Sequence, residues 1–114
     1  MTVKELGKLL SYWKNRLGLQ PWTIELALAN VLASPNAEAE IEINWETETA
    51  RITILSPEIY KERGLLGDQN IERSIVHELF YIIFEPIDPE DRQSLEWKMF
   101  EQAIDRVAKA FIEK

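Results

Sequence analysis

The chain contains no cysteine and a single histidine, His77. Without thiols there is neither a disulfide framework nor a thiolate zinc site, so any metal must be held by imidazole, carboxylate or phenol. Basic charge is also short: 13 lysines and arginines stand against 20 acids, a formal net charge of −7. That balance argues against nucleic-acid binding, which relies on clustered lysine and arginine to neutralise phosphates. No apolar run approaches the ~18–20 residues of a membrane span, and the opening MTVKELGKLL has no apolar signal core. The expectation is a cytoplasmic protein without membrane insertion, which the missing cysteines fit. Glycine and proline are sparse, four and five residues, and nowhere cluster into a linker that would divide the 114 residues. One domain spanning 1–114 is expected. What is abundant is ordinary core material: 46% of residues are hydrophobic and 29% charged, the balance of a folded chain rather than a disordered one.

Periodicity gives an α+β order. Thr2 to Glu5 has the form of a capping box, and Val3, Leu6, Leu10, Trp13 and Leu17 follow at helical spacing until Gly18. After Pro21 the period becomes two, with Trp22, Ile24, Leu26 and Leu28 on one face of a strand. A second strand directs Ala37, Ala39, Ile41, Ile43 and Trp45 inward, while Glu38, Glu40, Glu42, Asn44 and Glu46 form a solvated acidic face. Glu46 to Thr49 turns the chain into a third strand, Arg51 to Leu55, so strands two and three form a hairpin in a small antiparallel or mixed sheet. Ser56-Pro57-Glu58 starts a short helix through about Arg63. Asp68 or Asn70 opens a central helix that Pro86 ends near Glu85, and Asp88-Pro89-Glu90-Asp91 caps a long final helix. Trp13, Trp22 and Trp45 fall on core faces, and Trp97 borders one.

The central helix carries IVHELFYIIF, Ile75 to Phe84. At ~100° per residue, Asn70, Ser74, His77, Glu78, Tyr81 and Glu85 share one stripe, and the remaining circumference is apolar enough to require burial. The stripe is either the wet side of that helix or the floor of a cleft. Side chains at i and i+4 on one face can share a metal, and a glutamate at i+1 can deprotonate metal-bound water that attacks a peptide carbonyl. His77 occupies the first ligand position and Glu78 the general-base position. Tyr81 stands at i+4, and a neutral phenol is a much poorer zinc ligand than imidazole. In the last helix, Met99, Phe100, Ala103, Ile104, Val107, Ala110 and Phe111 project as the apolar face. Glu96 lies near the middle of that face and Glu101 outside it, which makes Glu96 the inward carboxylate in need of a partner, unless it clears the core edge to meet water or an arginine.

With LGLQPWTIEL, RITILSP, IERSIVHELFYIIF and EQAIDRVAKAF in this order, the chain resembles the small zincin-like metallopeptidase domains of prophage and bacterial genomes, relatives of the gluzincins. The likeness spans nearly its whole length. Those families carry H-E-x-x-H on the central helix and an acidic ligand downstream. The resemblance implies a metal set of His77, Tyr81 and Glu96, with Glu101 as the other match for the acid, and Glu78 as the catalytic residue. It further implies that strand three is the edge strand beside the cleft, offering backbone groups to an extended peptide. Because Tyr81 replaces the second histidine, the expectation is a domain with impaired or lost zinc-dependent peptide hydrolysis and weak or absent zinc binding. The alternatives are a non-catalytic module that binds a peptide or protein through the cleft or acidic surface, residual metal-dependent hydrolysis through His77, Tyr81, Glu96 and water, and metal-free acid–base chemistry by Glu78 and Glu96.

Overall fold

A computed structural model describes residues 2–34, 37–63, 69–84 and 94–112. The first helix, α1 (Val3–Arg16), starts from the expected capping box: Glu5 N–H donates to the Thr2 hydroxyl at 3.1 Å, and Thr2 N–H donates back to the Glu5 carboxylate at 3.4 Å. Both bonds satisfy amides that lack a partner within the helix. Beyond its end Gly18 takes φ 73°, a left-handed conformation that costs a residue without Cβ little. Leu6, Leu10 and Trp13 form the buried stripe.

Three strands follow, β1 (Thr23–Ala29), β2 (Ala39–Asn44) and β3 (Thr49–Leu55), in the spatial order β1-β3-β2. β2 and β3 form the expected hairpin, whereas β1 runs parallel to β3, so the sheet is mixed. The expectation that β3 is the edge strand is overturned. β3 lies in the middle, with β1 and β2 at the two edges. Parallel partners need a crossover, and here β2 belongs to it, crossing to the far side of β3. Burial explains the order: Ile52 and Ile54 are wholly inaccessible, as suits a strand flanked on both sides, while β2 carries its acids at the rim.

Register places Ile24, Ala50 and Ile43 in one row and Leu26, Ile52 and Ile41 in the next, both rows facing the helices. Glu25, Arg51 and Glu42 align on the opposite face, where Arg51 Nε sits 3.4 Å from Glu25 Oε2. Both side chains are more than half exposed, so that pair contributes no more than about 1 kcal/mol.

The short α2 (Pro57–Glu62) buries Tyr60 with Leu32 and Leu55 in a small secondary cluster. The central helix α3 (Ile71–Phe84) starts at Asn70, whose side chain accepts from Arg73 N–H at 2.9 Å. Ser94 does the same for α4 (Leu95–Ile112), accepting from Trp97 N–H at 3.1 Å. Asp68, Glu85, Pro86 and the segment Asp88-Pro89-Glu90-Asp91 lie outside the described residues. Ile75, Val76 and Leu79 of α3 are fully buried, and the helix touches α1, α4, β2 and β3, which makes it the hub of the core. A hydrogen bond of 2.8 Å from Trp13 Nε1 to Glu72 ties α1 to α3.

Trp13 and Trp22 are core residues as expected. Trp45 is not, being 45% exposed. It follows the last residue of β2 and meets Trp22 edge-on, ring centroids 5.2 Å apart.

Candidate functional site

α3 reaches the side of the sheet where β2 ends the hydrogen-bonded ladder, and α4 packs alongside it. Between the three lies a cavity of about 510 Å³. The polar stripe of α3 is its floor: Ser74, His77, Glu78 and Tyr81 line it, with Arg73 at one side. β2 and the residues before it supply one wall, through Glu38, Glu40, Ile41 and Ile43 among others, and α4 the other, through Trp97, Glu101 and Asp105. The stripe is therefore a cleft floor rather than a solvated helix side.

Glu101 organises the polar end. The Tyr81 hydroxyl donates to Glu101 Oε1, and His77 Nε2 stands 3.7 Å from Glu101 Oε2, an ion-pair distance rather than a hydrogen bond. His77 Nδ1 faces Asp105 at 4.0 Å, and the imidazole and phenol rings meet edge-on at 5.4 Å. Both ring nitrogens thus face carboxylates, an arrangement that favours imidazolium, whose two N–H groups both donate. Burial works to lower the His77 pKa, but the Glu101 carboxylate and the charges of Glu78 and Asp105 outweigh it, and the pKa is raised.

Glu78 is only 6% exposed. Burial is the main cause that pushes its carboxyl up to about 7; Glu101 and Glu40 add to the rise and His77 opposes it. No described residue donates a hydrogen bond to it; it lines the cavity, where the charges of His77, Glu101 and Glu40 act on it.

Of the residues expected to form the site, His77, Glu78 and Tyr81 are together in the cleft, and Glu96 is not. Glu96 is exposed near the start of α4, and Glu101 holds the position facing Tyr81. The reason is rotational. Trp97, Phe100, Ile104, Ala108 and Phe111 turn inward while Met99, Ala103 and Ala110 are exposed, so the packed face is turned by about 70° from the apolar face that the sequence projects, at ~100° per residue. Two acids on the packed side, Glu101 and Asp105, shift the apolar average away from the true interface. Asp105 was not legible as a site residue; its one signal is the i, i+4 spacing from Glu101, which puts both carboxylates on one side of α4.

These donors do not fit a zinc centre of the two-histidine kind. The chain has one imidazole to offer, and metal ligation requires that imidazole to be neutral, whereas its surroundings favour the cation. The Tyr81 proton is engaged by the carboxylate that would have to act as the acidic ligand. Among the described residues, no three His, Cys, Asp or Glu side chains are grouped so as to hold a metal ion.

No helix among the described residues is long and apolar enough to cross a membrane. Comparison of the chain with protein-family models, with curated proteins and with solved structures finds no match in any of the three.

Proposed function

We propose that this chain is a zincin-like domain in which zinc-dependent hydrolysis is impaired or lost, and whose cleft serves to bind an extended segment of peptide. The observation that carries the reading is the placement of His77, Glu78 and Tyr81 on a helix floor beside β2, an edge strand of the sheet among the described residues, with the Tyr81 hydroxyl bound to Glu101. An edge strand has unpaired backbone groups on one side, which an extended chain can meet by adding a strand, while side-chain pockets supply selectivity. The cavity size falls within the range of about 300–1,000 Å³ that suits small ligands and single side chains. Against hydrolysis stand the missing second imidazole and the ionic engagement of the first, which leave Glu78 without an acidified water to deprotonate.

Peptide binding and peptide turnover, measured side by side on the wild type and on Glu78→Gln with zinc added, test this. The reading expects both proteins to bind an unstructured peptide and neither to cleave it above background. Zinc-dependent cleavage by the wild type that disappears in the glutamine variant would identify Glu78 as a working general base and overturn the loss of chemistry.

A further inference from the structure

The cleft is unusually rich in one sign of charge. Five carboxylates line it, Glu38, Glu40, Glu78, Glu101 and Asp105, against two cationic groups, Arg73 and His77. An acidic surface alone signifies little in a chain of net charge −7. Glu78 is different, because it is nine-tenths buried, it lines the cavity, and its carboxyl accepts no hydrogen bond from the described residues that surround it. A carboxyl so placed keeps only the solvent that the cavity admits, and a cation entering the cavity would supply it with a donor. The walls add a second preference. Tyr81 and Trp97 border the same space, and an aromatic face beside carboxylates suits a planar cation that can stack and donate at once.

We infer that the cleft takes a basic side chain, arginine in preference to lysine, presented by an extended peptide lying along the β2 edge. This rests on the peptide-binding reading above and gives it a ligand class. The guanidinium matches the site because its forked N–H groups can reach two carboxylate oxygens while its plane meets a ring, whereas an ammonium offers only a compact charge. The acids of β2 serve the same end. Glu40 in β2 and Glu38 just before it line the cavity, and they repel a second copy of this strand and attract a basic one.

The test is an NMR titration of the full chain, at pH 8 and low salt, with three blocked heptapeptides identical except for a central arginine, citrulline or glutamate. Citrulline keeps the shape of arginine and removes its charge. The expected result is shifts of β2 amides with the arginine and citrulline peptides, an arginine affinity at least tenfold above that for citrulline, and the weakest binding for glutamate. Glu78→Gln and, at the more exposed Asp105, Asp105→Asn should each shrink the arginine-to-citrulline ratio while leaving citrulline binding in place. Equal affinities for arginine and citrulline, with β2 shifts present, would overturn the cationic preference and leave peptide binding standing. Shifts with none of the three peptides would overturn both.

Discussion

Glu78 is the residue on which the cleft's electrostatics turn. Its carboxyl pKa is raised from 4.5 to about 7, chiefly by burial. A group whose folded pKa exceeds its unfolded one contributes stability that is complete below the unfolded value and is lost as pH rises through the folded value. Relative to wild type, Glu78→Gln should therefore gain stability as pH rises from about 4.5 to about 7 and then level off. The rise corresponds to about 3 kcal/mol, from ~1.36 kcal/mol per pKa unit. Urea unfolding of both proteins at pH 5 and pH 8 measures it; a difference that does not change with pH would mean that the carboxyl is solvated. Trp13 offers a second single-residue check. Its indole N–H is the bond from α1 to Glu72, so Trp13→Phe should cost about 1–2 kcal/mol, read as a lowered urea midpoint.

At the scale of elements, the orientation of α4 decides which acid meets the histidine. Replacing Glu101 by glutamine removes a carboxylate that raises the His77 pKa, so the histidine should titrate at lower pH in Glu101→Gln. Glu96→Gln, on the exposed side, should leave it where it is in the wild type. Histidine ring shifts followed by NMR across pH distinguish the two variants, and the opposite ranking would mean that α4 faces the cleft with its other side. The central place of β3 has its own consequence. Ile52→Ala, at a wholly buried position flanked by Leu26 and Ile41, should cost about 2–5 kcal/mol, whereas Leu28→Ala, 44% exposed, should cost well under half of that. These elements also show what a sequence can and cannot reveal. Capping at Thr2, alternation in β1 to β3 and the greasy circumference of α3 are local patterns, and all five elements formed where those patterns lie. Strand order is not local: nothing within Arg51 to Leu55 states that β1 will lie parallel to it and displace it from the edge. The inward face of α4 differs from its most apolar face because Glu101 and Asp105 line a polar cavity, and a packed face that contains charge cannot be found by following hydrophobicity.

At the scale of the molecule, the described residues form an α+β arrangement of four helices and a three-stranded mixed sheet in which one helix, α3, packs against α1, α4, β2 and β3. That placement is what turns a dipeptide in the sequence into a cleft: the same helix buries Ile75, Val76 and Leu79 and opens His77, Glu78 and Tyr81 toward β2 and α4. The proposed descent from a hydrolytic architecture makes a demand on this geometry as a whole, because a metal site is restored by one side chain only if the helix, the strand edge and α4 are already correctly disposed. Zinc titration of the wild type beside Tyr81→His by calorimetry, with His77→Ala added to the second as a control, measures it directly. The account predicts negligible binding to the wild type and one zinc per chain for Tyr81→His, at least about 100-fold tighter, a gain of roughly 3 kcal/mol, abolished by His77→Ala. A Tyr81→His protein that folds and still ignores zinc would contradict it.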